Sequence, residues 1–449
     1  MDDDVRDGTD DGTANAGPSS DGTADARSNA LAAVFFAVGV GTLAPWNVFI
    51  TARPYFAARF ATSNERAVEA SFEAAFASAY SVSNLVVSWA VWRSRLVEGR
   101  RDGTRLTGPL FVVGLALWTC GATTRIDASP DFVFAETLLI IAFVGGLTAI
   151  AQSGGFAAAS ALPAAYAQAM MSGQAASGVA VSLVAMMTTA GMGETMKANE
   201  RHAEAYFYVA TVTLFACAWA TTRLAKIPMY RRRQEEAREA EAHADTARAE
   251  TRTLLGGDED EIEGDSVEDV ERNDEASASF DAKEECRLYR LTVVTTFVAT
   301  LCVFPAVTSA IESTSGTFGA LWSPTLFLLF NLGDLLGRHL ASIHPKTPPS
   351  GRSLLQTATL RFAFVPLIAV CNVSTSGWRA PKVFTMDVFP LFFITSLAVT
   401  NGWTASVAMM HGASRAHPSK REAEGVVLNF CLVAGIFAGT TLSLVFSSV

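Results

Sequence analysis

Asp334 and Arg338 stand four residues apart in Phe-Asn-Leu-Gly-Asp-Leu-Leu-Gly-Arg (Phe330–Arg338), inside an apolar run from about Phe318 to Leu340. An ionised group near the middle of a bilayer costs about 2.5 kcal/mol at the least, so such residues face a partner, a protein interior or water. At this spacing the carboxylate and the guanidinium share one helix face, with Asn331 one turn earlier. The carboxylate accepts hydrogen bonds and the guanidinium donates them, and each offsets the other's burial while no solute is bound. A structural ion pair between two helices, or an arginine reaching up to the headgroups, accounts for Asp334 and Arg338 as well. Three polar groups on one stripe favour a wet cavity.

Other polar and aromatic residues fall within apolar stretches. Pro45 removes one helical hydrogen bond in Gly-Thr-Leu-Ala-Pro-Trp-Asn, and Trp46 and Asn47 follow it directly. Trp46 suits either an interfacial belt or a flat surface for an aromatic ligand. Gln152 offers an acceptor and two donors beside Gly154 and Gly155, which is what reading the edge of a nucleobase requires. Phe304-Pro305 repeats the pairing of a kink with a ring, and Asn401, Gly402, Trp403 and Ser406 form a further polar stripe. Small residues at helical spacing, Gly173, Ser177 and Gly178, read as close helix packing. Arg105, Glu422 and Glu424 stand at span ends, as ordinary terminal charges or as bridges that close an inner mouth. His202, His243, His339, His344, His411 and His417 lie in loops or at span ends without metal-ligand spacing, so a membrane-embedded enzyme is disfavoured and no metal or cofactor is implied.

The elements that must hold these residues are membrane helices. Half of the 449 residues are hydrophobic and only 17% are charged, which with a positive mean hydropathy marks a multi-pass membrane protein whose partner is the lipid bilayer. The net charge of −10 collects in two polar segments rather than in the spans. Residues 1–28, rich in Asp, Gly, Ser and Thr, read as a disordered tail without a cleaved targeting signal. Apolar runs at 29–52, 71–92, 106–123, 132–153, 170–192, 203–225, 287–310, 318–340, 354–373, 384–410 and 423–446 predict eleven transmembrane helices. The connection 154–169 carries Leu162-Pro163 and fits a tight turn or a re-entrant piece. Arginine and lysine favour the loops that are inner when the N-terminus is cytoplasmic. A basic, helix-prone segment that turns strongly acidic, 226–286, divides a six-helix bundle (29–225) from a five-helix bundle (287–449). Such a layout suits either a rocking carrier with its site between the halves or a simple trafficking loop.

Taken in order, the Gly-Thr-Leu-Ala-Pro-Trp-Asn run, Met-Ser-Gly-Gln-Ala-Ala-Ser-Gly (171–178), Phe-Pro-Ala-Val-Thr (304–308), the Phe330–Arg338 stretch and Glu-Ala-Glu-Gly (422–425) resemble the signature stretches of equilibrative nucleoside transporters. The resemblance implies an all-α fold like the major facilitator superfamily, and transport of nucleosides or nucleobases by alternating access rather than catalysis. It implies Leu43 and Trp46 around the nucleobase, Gln152 on its edge, and Asp334 and Arg338 on the ribose hydroxyls. Asn331 and Phe304 would share that cavity, with Arg105 and Glu424 at the inner gate. The aromatic residue usual after the aspartate is Leu335 here, preceded by Gly333. The plasma membrane is the expected location and an intracellular membrane the alternative. A nucleoside is the expected partner, with no nucleic acid; a proton-coupled carrier, with protons as a second partner, is the nearest rival reading, and a non-transporting receptor a more distant one.

Overall fold

The computed structural model describes residues 20–61, 66–191, 196–236, 239, 242–243, 246, 266–343, 348–374 and 380–448. In hydrocarbon a backbone must satisfy its own N–H and C=O groups, and these apolar runs do so as helices. They are α1 (Ser20–Thr51), α2 (Arg66–Ser94), α3 (Gly108–Thr123), α4 (Pro130–Ser160), α5 (Ala164–Gly191), α6 (Met196–Thr221), α7 (Ser266–Leu301), α8 (Trp322–Ile343), α9 (Gly351–Leu360), α10 (Val388–His411) and α11 (Arg421–Ser448). All but α9 belong to segments long and apolar enough to cross a bilayer, ten in number among the described residues, which hold no strand beyond two isolated bridges.

The exception is the span expected at 354–373, which is broken. A 3₁₀ turn, Arg361–Ala363, follows α9, and a short helix, Phe364–Ala369, completes the segment. Pro366 lacks the N–H that would close a turn on Phe362, and the regular helix gives way there. Gly351–Ala369 still extends about as far as a hydrocarbon core is thick.

The connection after Gln152 is a tight turn: α4 runs on to Ser160 and α5 begins at Ala164. Pro45 lies inside an unbroken α1, whereas α7 stops at Leu301, just before Phe304-Pro305. The expected 1–28 tail falls outside the described residues up to position 19, and from Ser20 onward it belongs to α1. Most of the acidic part of the 226–286 linker also lies outside them, but from Ser266 the linker is already α7. Both early starts are polar in sequence and lie ahead of the apolar runs.

Among the first six helices, α1 packs on α5 and α6, α2 on α4, and α3 on α6; among the last five, α8 packs on α10, while α7 holds α9, α10 and α11. The two sets meet along two seams, α5 against α8 and α10, and α11 against α2 and α4. Glycines let α8 and α10 approach closely. A Cβ on Gly337 would stand 2.1 Å from the Val399 carbonyl oxygen, and one on Gly402 would stand 2.0 Å from that of Asp334. The six cysteines are free thiols, five of them buried.

Candidate substrate site

The close crossing of α8 and α10 sets Asp334 beside Asn401. Asp334 and Arg338 are 5% and 6% exposed, so neither meets lipid or bulk water. Arg338 Nε donates to Asp334 Oδ2 at 2.7 Å, and its Nη1 donates to the Met171 carbonyl on α5 at 2.8 Å. One guanidinium therefore ties a carboxylate on its own helix to a carbonyl across the seam. The other carboxylate oxygen, Oδ1, accepts from Asn401 Nδ2 at 2.7 Å.

Behind Asn401 stands a second buried guanidinium. Arg361, 2% exposed, donates from Nη2 to Asn401 Oδ1 at 3.3 Å, where Thr300 Oγ1 also donates at 2.8 Å. Its remaining N–H groups reach the Thr296 carbonyl at 2.8 Å, the Thr300 hydroxyl at 2.6 Å, the Leu397 carbonyl at 3.2 Å and the Thr400 hydroxyl at 3.2 Å. Sequence reasoning missed Arg361, although an arginine within an expected span is a signal in itself. The reach from Thr300 and Arg361 through Asn401 to Asp334 and Arg338 joins α7, the broken ninth span, α10 and α8.

Asn331 belongs to a neighbouring contact. Its Nδ2 donates to Ser182 Oγ on α5 at 2.8 Å and to the Phe327 carbonyl at 3.0 Å, and its Oδ1 lies where a Cβ on Gly178 would sit. Small residues on α5 thus admit polar side chains from both sides, since Ser177 accepts from Asn47 Nδ2 at 3.0 Å. Phe304 stacks on Phe330, with centroids 3.7 Å apart at 11°, next to Asn331. Half-buried Trp46 packs on Tyr80 of α2, with centroids 4.9 Å apart at 32°; Leu43 is half-buried one turn earlier, and Gln152 is buried on α4. Leu43, Trp46 and Gln152 thus come from the first six helices, whereas Phe304, Asn331 and the charged pair come from the C-terminal part of the chain.

Arg105, 1% exposed, stands just after Arg93, Arg95, Arg100 and Arg101, at what is therefore the basic end of the molecule. Its Nη1 donates to Glu422 Oε2 across the second seam at 3.2 Å, and its Nε donates to Asp102 Oδ1 at 3.0 Å. Glu424 is not in that bridge; Arg290 of α7 holds it through a two-point ion pair. Beside them Trp92 stacks on Phe430 at 5.0 Å, and Asn429 Nδ2 donates to Ser153 Oγ at 2.9 Å. Tyr230, from the start of the linker and unforeseen from sequence, receives Arg105 Nη2 at 3.0 Å and donates to Asp102 at 2.8 Å. Burial pushes its hydroxyl well above the ordinary tyrosine value, against the pull of Arg105. Among the described residues no cluster of three or more His, Cys, Asp or Glu gathers to hold a metal.

Residues 138–448 match the family model described as nucleoside transporter. Equilibrative nucleoside transporter 2 of Homo sapiens is 29% identical over 443 residues, covering 92% of this chain and 96% of that protein. Equilibrative nucleoside transporter 1 of Homo sapiens is 28% identical over 456 residues, covering 94% and 98%. In fold, the chain is similar to the major facilitator superfamily proton:xylose symporter XylE, with a TM-score of 0.60 at 13% identity over 94% of this chain and 88% of that one. An all-helical, multi-pass chain with a major-facilitator-like fold, matched over most of its length by this family model, belongs to the nucleoside transporter family.

Proposed function

We propose that this chain carries nucleosides across the plasma membrane by alternating access, as facilitated diffusion without coupled protons. The observation that carries the reading is the buried Asp334–Arg338 pair at the α5–α8 seam. A nucleoside has an aromatic half and a hydroxylated half. Asp334 accepts from the ribose hydroxyls and Arg338 donates to the ribose oxygens, while Trp46 and Leu43 flank the base and Gln152 reads its edge. Asn331 and Phe304 complete the cavity wall. When the halves part at this seam, the Arg338–Met171 bond opens and frees an N–H for the solute. Access from the basic end requires the Arg105–Glu422, Trp92–Phe430 and Ser153–Asn429 contacts to separate instead. Transport without protons is supported by the equilibrative relatives.

Uptake of labelled nucleosides and nucleobases into reconstituted vesicles tests the reading. Asp334→Ala and Arg338→Ala should each abolish nucleoside uptake while the protein still inserts, and a protonophore should leave wild-type uptake unchanged. Near-normal uptake by both variants sinks the site assignment. Collapse of uptake under the protonophore replaces facilitated diffusion with proton coupling.

A further inference from the structure

We infer that Arg361 is a positioning residue for substrate recognition: through Asn401 it fixes which face and which lone pairs of the Asp334 carboxylate meet the ribose. The inference rests on the placement of ribose hydroxyls at Asp334 proposed above.

The argument starts from the amide of Asn401. A primary amide can sit either way round, and its neighbours decide which. Here Oδ1 receives two donors, Arg361 Nη2 at 3.3 Å and Thr300 Oγ1 at 2.8 Å, and Nδ2 faces Asp334 Oδ1 at 2.7 Å. Reversing the amide would press an NH2 against a guanidinium and a carbonyl oxygen against a carboxylate. Arg361 therefore makes Asn401 an obligatory donor to Asp334. With Oδ2 already held by Arg338 at 2.7 Å, the carboxylate is pinned at both oxygens, and only the lone pairs these bonds do not use are left for a solute. Pinning of this kind sets a binding group before the ligand arrives, so the ordering cost is not met at each binding event.

Two further observations assign Arg361 to this task rather than to helix packing alone. Its named partners are two carbonyls, two hydroxyls and the Asn401 amide, and none is a carboxylate. A 2% exposed guanidinium held only by neutral groups is a costly way to join helices that are already packed through apolar residues such as Leu397 and Ala358. The nearest use for its charge is the carboxylate one amide away. The helix also breaks at Arg361–Ala363, where Arg361 turns toward α7 and α10.

The test compares a ribonucleoside with its 2′,3′-dideoxy analogue in vesicles holding the full chain, for wild type, Arg361→Met, Arg361→Lys and Asn401→Leu. Wild type should show a lower KM for the ribonucleoside. Arg361→Met and Asn401→Leu should raise that KM about tenfold, the worth of one charge-assisted hydrogen bond, and leave the dideoxy KM within about twofold. Arg361→Lys should recover part of the preference, because it returns a donor and a charge without the planar fork. A purely structural role would instead lower Vmax and protein amount for both substrates alike, with the KM ratio unchanged, and that result overturns the inference. Should Arg361→Met fail to insert, Arg361→Lys decides by the same ratio, a KM ratio equal to that of wild type overturning the inference. A wild type that does not distinguish the two substrates removes the ribose placement itself. A wild type that distinguishes them, with variants that keep the wild-type ratio, removes only the role of Arg361.

Discussion

A charge inside a membrane protein is tolerable when every face of it is answered, and the side chains here differ in how that is done. Asp334 is answered by a cation and an amide, Arg361 by neutral dipoles, and Arg105 by two carboxylates and a hydroxyl. Breaking one partner of such a pair strands the other, which in buried pairs costs about 3–5 kcal/mol. Asp387, ahead of α10, shows a half-buried counterpart. Burial alone would raise its carboxyl, but the Ser315 and Ser313 hydroxyls and the Thr314 and Ser315 backbone N–H groups outweigh that and hold it well below the ordinary carboxylate range. Because the folded value is depressed, this contribution to stability is full above the unfolded value of about 3.9 and is lost as pH falls toward the folded one. Asp387→Asn should therefore lower the melting temperature of detergent-solubilised protein at pH 7, and the gap to wild type should narrow below about pH 4. A gap that is constant with pH would show that the carboxylate charge does no stabilising there. At this scale the i, i+4 spacing of Asp334 and Arg338 foretold their pairing. The role of Asn401 as the bridge to Arg361 was not legible, since its partners come from helices distant in sequence.

Helices carry those residues into register. The α8–α10 crossing depends on Gly337 and Gly402 lying where a Cβ would enter the facing backbone. Gly337→Leu should force α8 and α10 apart, an overpacking cost of about 1–3 kcal/mol, and with it lengthen the Asp334–Asn401 bond. The expected outcome is a lower melting temperature together with loss of nucleoside uptake. Full uptake by that variant would mean that the close approach does not set the site. Ten of the eleven apolar runs gave the positions of unbroken spanning helices, because burial in lipid demands length and hydrophobicity that show in sequence; the ninth run, 354–373, is broken. The early starts of α1 and α7 were hidden because polar, acidic residues can extend a helix outside the bilayer with no apolar signal.

For the whole molecule, the arrangement that matters is two sets of helices meeting at two seams, with an ion pair across one and a guanidinium–carbonyl bond across the other. If Arg105–Glu422 holds the basic end shut, the pair should show coupling in a double-mutant cycle on transport rate. Arg105→Gln and Glu422→Gln combined should cost less than the two single changes added together, by about 1 kcal/mol or more. Strict additivity would leave the contact without a part in the cycle.

By itself the sequence determined a multi-pass helical protein, the segments that span, and a charged pair held on one helix face. These follow from composition, length and local spacing, all properties of contiguous chain. Tertiary structure alone decided that Arg105 meets Glu422 while Glu424 goes to Arg290, that Asn331 turns to α5, and that Arg361 stands behind Asp334. Such choices depend on which helices touch, and at what distance and rotation. Those are set by packing between segments tens to hundreds of residues apart, to which a local pattern is blind.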